Sequence, residues 1–200
     1  MTTRSFSVAF DYRCPFARNA SEHVVAAMRA GAPYEVTFRA FSLPEVHVPE
    51  GGLSVFDDPS KRNELVAQAA ALVVRERFPD RFLAVHTAFF VARHEHGRDL
   101  REEETARAAL KEGGADADAV FAELDAGWPY DLLATEHRGL VASHAVFGVP
   151  TFIAGEQAAF VRLLSRPRSG EEARATIDRV LDLLTSHTEL NEFKHTSIPR

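Results

Sequence analysis

The stretch that decides the fold is Arg4-Ser5-Phe6-Ser7-Val8-Ala9-Phe10-Asp11-Tyr12-Arg13-Cys14-Pro15-Phe16-Ala17. Its first half puts Phe6, Val8 and Phe10 at every second position, so residues 4 to 11 read as a strand with that face buried. Cys14-Pro15 then opens a helix, because proline suits the first helical position, where its missing N–H has no intrahelical partner to lose. Phe16, Ala20, Val24, Ala27 and Met28 follow at helical spacing, and Gly31 supplies the stop. Residues 35 to 41 alternate again as a second strand. Strand, helix, strand implies a right-handed crossover and a parallel pair.

Working outward, residues 43 to 59 hold Pro44, Pro49, Pro59 and the pair Gly51-Gly52, and read as a long loop. From Lys61 the pattern turns helical, with Leu65, Ala69, Leu72 and Val73 on one face until Phe78-Pro79 interrupts it. Residues 82 to 96 carry the stripe Phe82, Val85, Phe89 and Phe90 and stop at Gly97. Further helices are expected over 101–111, 117–126 and 130–146, the last broken or bent near Gly139. No segment between residues 60 and 147 alternates as a strand. Strands return at residues 149–154, with Gly155-Glu156-Gln157 as a tight turn and residues 158–161 as the hairpin partner. Residues 171–186 form a last amphipathic helix, with Ile177, Val180, Leu181 and Leu184 inward. The expected organisation is a core of residues 1–59 and 147–200, interrupted by an all-helical insertion over 60–146.

Two hundred residues suit one domain with a sizeable insertion, and 46% apolar residues exclude a disordered chain. The net charge of −6 excludes a general nucleic-acid surface, and the basic tail from Lys194 to Arg200 is too short to reverse that. A single cysteine excludes an internal disulfide and a multi-cysteine zinc site. No apolar run approaches the roughly 20 residues of a membrane span. The first residues lack the features of a secretory signal, so a reduced cytoplasm is the expected compartment. The abundance of Ala, Arg, Val and Leu suggests a GC-rich genome.

Chemistry centres on Cys14. A cysteine just before a helix meets unpaired backbone N–H groups and the positive end of the helix dipole, which favour the thiolate. Arg13 and Arg18 would add positive potential, so a pKa well below that of free cysteine is expected. The alternative is a small buried hydrophobe. Asp11 could relay a proton near the sulfur, or bond turn N–H groups as a loop carboxylate. Gly148-Val149-Pro150-Thr151-Phe152 puts a proline at the head of a strand, which calls for an edge, a special loop or an ordinary turn. His94, Glu95 and His96 do not converge on one helix face, and His86 and His94 share a face without a third ligand, so no metal site is expected. His144 reads as a core or interface histidine, and Trp128-Pro129-Tyr130 as an inter-helix wedge or a pocket wall beside Cys14.

Taken together, strand, Cys14-Pro15 helix opening, strand, helical block, Gly148-Val149-Pro150-Thr151-Phe152, hairpin and terminal helix resemble the DsbA-like branch of the thioredoxin superfamily, over essentially the whole chain. The resemblance implies an α/β, thioredoxin-like fold with a helical insertion domain. It implies a redox-active cysteine at Cys14, flanked by Pro15 and Phe16. It also implies a cis-proline loop in which Val149 backbone groups pair with the bound partner and Pro150 walls the sulfur. Family proteins carry Cys-x-x-Cys here, but the second position is Ala17, so a mixed disulfide lacks its internal resolver. The implied activity is thiol–disulfide oxidoreduction through one cysteine, Arg13 and helix N–H groups stabilising its thiolate, with an external thiol as resolver. Kappa-class glutathione transferases and hydroxychromene-carboxylate isomerases of the same branch place serine at this position and bind glutathione. Two alternatives follow: a kappa-like thiol transferase or isomerase, or a non-catalytic thioredoxin-fold binding protein. No tightly bound cofactor is implied. The expected partner is a small-molecule or protein disulfide together with a low-molecular-weight thiol: glutathione, or mycothiol in an actinobacterium. A homodimer is compatible with this reading.

Overall fold

The structure, a computed structural model, describes residues 3–195; Met1, Thr2 and residues 196–200, most of the basic tail, lie outside the described residues. β1 (Arg4–Phe10) and β2 (Tyr34–Ala40) run parallel, in register from Arg4–Tyr34 to Phe10–Ala40. On the other side of β1 lies β3 (Thr151–Ala154), antiparallel, and β4 (Gln157–Phe160) pairs antiparallel with β3. The sheet order is β2-β1-β3-β4, so the strand that carries Cys14 at its end is internal. This explains why Ala9 is buried along with Phe6, Val8 and Phe10: a central strand is covered on both faces. The hairpin turn is Gly155-Glu156, and β4 begins at Gln157, one residue earlier than the sequence pattern suggests.

Between β1 and β2 runs α1 (Pro15–Arg29), which buries Ala17, Ala20, Val24 and Ala27. The loop after β2 contains a short helix, α2 (Leu43–Val46), capped by the Ser42 hydroxyl accepting the Glu45 N–H. One turn of helix carries too few positions to show a period, which is why the stretch reads as loop. A 3-10 turn at Pro59–Leu65 leads into α3 (Val66–Arg77). α4 (Pro79–His94), α5 (Glu103–Glu112), α6 (Ala117–Asp125) and α7 (Trp128–His144) follow. α3 is buried from Val66 through Val74 rather than on one face, as expected for a helix apolar all round. α7 runs through Gly139 without the expected break. The last helix, α8 (Gly170–Ser186), packs on α1. A Cβ at Gly170 would stand 2.5 Å from that of Ala30, so only glycine permits this approach. No described helix is long and apolar enough to cross a membrane.

Two of the contacts that fasten the helical block bear on the site. Glu136 of α7 accepts the Ala40 N–H at 2.8 Å and pairs with Arg75 of α3, also at 2.8 Å. Phe89 and Phe90 of α4 pack on Tyr12, both with ring centroids 4.9 Å away, so α4 abuts the loop that carries Cys14.

Candidate active site

Cys14 is the N-cap of α1, with extended backbone and Pro15 as the first helical residue. Its Sγ accepts the Ala17 N–H at 3.4 Å and donates to the Val149 carbonyl at 3.3 Å. The β1–β3 ladder causes this meeting: Ala9 pairs with Thr151, so the chain leaving β1 faces the chain entering β3. The Val149–Pro150 peptide is cis. Thr151 stays at hand through its hydroxyl, which donates to the Gly148 carbonyl at 2.7 Å.

Burial and helix position act on the sulfur in opposite directions. Cys14 is 8% exposed, and burial pushes its thiol up. The Ala17 and Phe16 N–H groups pull the other way, Asp11 adds to the rise, and Arg162 opposes it. Desolvation wins because a thiolate here would trade water for two N–H groups and the field of one exposed arginine. The contact with Val149 is one that a thiol makes and a thiolate cannot.

Arg13 also departs from its expected role. Its guanidinium bonds the Glu64 carboxylate at 2.6 Å and the Glu64 carbonyl at 2.7 Å, so its charge is neutralised beside the 3-10 turn rather than offered to the sulfur. Arg18 is likewise engaged, with Glu22 and Glu95. The cation whose field reaches Cys14 is Arg162, just past β4. Its guanidinium carbon lies 5.3 Å from the centre of the Phe16 ring.

Asp11 takes the loop-carboxylate role: it accepts the Arg13 and Leu43 N–H groups, each at 2.8 Å. Burial raises its carboxyl despite these bonds. His86 and His94, grouped by their shared helix face, both hold Tyr12. His86 Nδ1 bonds the Tyr12 hydroxyl at 2.9 Å, with Nε2 on Ser21 at 3.1 Å, and His94 Nε2 donates to the Tyr12 carbonyl at 2.8 Å. Tyr12 itself was missed as a site residue; the only signal was its place between Asp11 and Cys14. His144 bonds Ser143 and the Gly155 carbonyl at 3.2 Å, away from the sulfur. Trp128 donates to Glu123 and lies under Arg77, which makes it the inter-helix wedge. Among the described residues no cluster of three or more His, Cys, Asp or Glu could hold a metal ion.

The rim on the Val149 side is apolar. Phe147 and Phe160, 69% and 38% exposed, pack with centroids 5.3 Å apart around Gly148. On the Arg13 side a cavity of about 520 Å³ is lined by Arg13, Leu43, His47, Val48, Leu53 and Lys61, among others. It is the size of a small-molecule pocket.

Comparison with known proteins agrees with this geometry. A probable DsbA oxidoreductase from Streptomyces coelicolor superposes with a TM-score of 0.60 at 16% identity, over 97% of this chain and 93% of that one. DsbA of Pseudomonas aeruginosa gives 0.56 at 19% identity, over 92% and 85%. A 2-hydroxychromene-2-carboxylate isomerase gives 0.61 at 15% identity, over 94% and 100%. At these identities the likeness is one of fold. No curated protein matches the sequence. Residues 7–163 match the DSBA-like thioredoxin domain, and a match over that share of the chain, with a cysteine capping the first helix and a cis-proline loop against it, makes this protein a member of the DSBA-like thioredoxin domain family.

Proposed function

We propose that this chain is a thiol–disulfide exchange enzyme that works through Cys14 alone. The observation that carries the proposal is the Cys14 sulfur 3.3 Å from the Val149 carbonyl, with Ala17, not a second cysteine, one turn along the helix. In the first step Cys14 loses its proton to solvent and leaves the Val149 carbonyl. Its thiolate attacks one sulfur of a disulfide R–S–S–R, forming Cys14–S–S–R and releasing RS⁻. In the second step an external thiolate attacks the R sulfur, restores the Cys14 thiolate and carries R away in a new disulfide. Glutathione or mycothiol would serve as that thiol, in a reducing compartment such as the cytoplasm, and no tightly bound cofactor is required.

The cavity beside Arg13 supports a second reading, a kappa-like transferase or isomerase that seats a small molecule next to a bound thiol. A Cys14→Ser variant separates the two. Exchange through Cys14 disappears in that variant, whereas a transferase that uses only the bound thiol keeps its activity.

The test is intact-mass analysis after exposure to glutathione disulfide and, separately, to mycothiol disulfide. One adduct at Cys14, removed by the matching free thiol and missing from Cys14→Ser, is expected. A folded wild-type chain that takes up neither, while the unfolded chain takes up both, would overturn the proposal and favour a non-catalytic binding role.

A further inference from the structure

Among the described residues Arg162 is a cation without an anion at the edge of the site. Arginines near Cys14 in the sequence and farther along the loop after β4 are paired: Arg13 holds Glu64, and Arg18 and Arg166 share Glu22 and Glu95. Arg162 pairs with no carboxylate among the described residues, in a chain where Asp and Glu outnumber Lys and Arg by 29 to 23. Its backbone is nevertheless held on both sides. The Val161 N–H donates to the Pro150 carbonyl at 3.0 Å, and Asn19 donates to the Leu163 carbonyl at 2.8 Å. The guanidinium carbon lies over the ring of Phe16, two residues from Cys14, and the residue is exposed. A guanidinium offers paired N–H donors that can receive a carboxylate in a bidentate way. The exposed rings of the rim, Phe147 and Phe160, offer no hydrogen bonds from their side chains.

We propose that Arg162 is a specificity-determining residue that selects disulfides carrying a carboxylate close to the attacked sulfur. The inference rests on the reading of Cys14 as the exchanging thiol. It adds the class of partner: a compact anionic disulfide whose apolar part lies on Phe16 and the Phe147–Phe160 pair. Glutathione has free carboxylates and mycothiol has none, so the site favours the former. The reaction itself is unchanged: the S–S bond of the reagent breaks, one forms to Cys14, and the released thiolate takes a proton from water.

The experiment compares 3,3′-dithiodipropionate with its uncharged diamide, which share the same reacting sulfurs. Rates of mixed-disulfide formation at Cys14 are followed by intact mass on the full chain, at low salt and at high salt. In the wild type the acid outpaces the diamide relative to their rates with a free cysteine peptide. In Arg162→Gln that ratio falls about fivefold, the size of an exposed ion pair. Arg162→Lys recovers part of it, and high salt erases it in the wild type. Arg29→Gln, at the far end of α1, makes the same change in net charge and leaves the ratio as it was. A ratio that does not move in Arg162→Gln, or falls as far in Arg29→Gln, overturns the assignment while leaving Cys14 as the nucleophile. Failure of both reagents to label folded wild type sinks both readings together.

Discussion

The two sides of Cys14 are built differently. On one side, Asp11, Tyr12 and Arg13 are locked: Asp11 holds two backbone N–H groups, Tyr12 is gripped by His86 and His94, and Arg13 is tied to Glu64. On the other side, Phe147, Phe160 and Arg162 are exposed, and their side chains meet only rings: Phe147 and Phe160 each other, Arg162 the ring of Phe16. The two arginines make the contrast plain. The one next to the cysteine in sequence is silenced by a carboxylate 51 residues away, and the one 148 residues away (162 − 14) keeps its charge for the site. Sequence adjacency therefore says little about which charge a sulfur feels. The locked side supplies rigidity and the open side supplies recognition, so substitutions on the two sides should cost different things.

The largest effect is expected on the locked side, at His86. Burial holds its imidazole down to about 3, against an ordinary value of 6.5. A base whose folded pKa is lowered contributes stability above its unfolded value, and that stability is lost as pH falls from about 6.5 towards 3. Each pH unit in this window removes about 1.4 kcal/mol, so about 2 kcal/mol goes between pH 7 and pH 5. Asp11 works in the opposite sense, because its carboxyl is raised. The share of His86 is read by comparing wild type with His86→Phe in urea at both pH values. The variant is less stable at pH 7 and loses about 2 kcal/mol less on acidification. Equal losses would show that His86 does not carry the acid sensitivity.

Next comes a matched pair. Tyr12→Phe removes the hydroxyl and leaves a buried ring nitrogen of His86 without its partner, at a cost of about 2 kcal/mol. Phe147→Ala, on the open side, costs under about 0.5 kcal/mol, because most of that ring is already in water. Denaturant midpoints measure both, and similar costs would abolish the distinction between the two sides.

Which parts of this were legible in the sequence follows from range. The alternation Phe6, Val8, Phe10 and the Cys14-Pro15 helix opening are local signals, and β1 and α1 lie where they point. The burial of α3 on all sides was not legible, since alanine fits a core face and a surface face equally well. That Val149 meets Cys14 came from resemblance to a family; nothing local in either segment specifies it. For the sulfur, the helix N–H groups can be read from position, but desolvation depends on what packs over the site and cannot. Arg13 was misassigned because its partner Glu64 sits in a 3-10 turn that carries no periodic signal.

The sulfur itself gives the next effect. With burial raising the Cys14 thiol, its alkylation by a neutral reagent should keep accelerating with pH beyond the free-cysteine range of about 8.5. A rate that levels off near neutral pH would mean that the Ala17 and Phe16 N–H groups outweigh burial after all.

The smallest effect is expected from Arg13→Ala, and its smallness is the point. If Arg13 is silenced by Glu64, removing it leaves the preference of Cys14 for anionic over neutral disulfides within about twofold of wild type, short of the roughly fivefold fall expected in Arg162→Gln. Glu64 keeps a second cation, since Arg101 stands 3.6 Å from its other oxygen, so no strong uncompensated charge appears beside the loop. What the variant does lose is both bonds from Arg13 to Glu64, to its carbonyl and its part-exposed carboxylate, so stability falls by about 1 kcal/mol. A preference that drops as far in Arg13→Ala as in Arg162→Gln would mean that both arginines act on the incoming anion, and the division between a locked and an open side would hold for packing but not for charge.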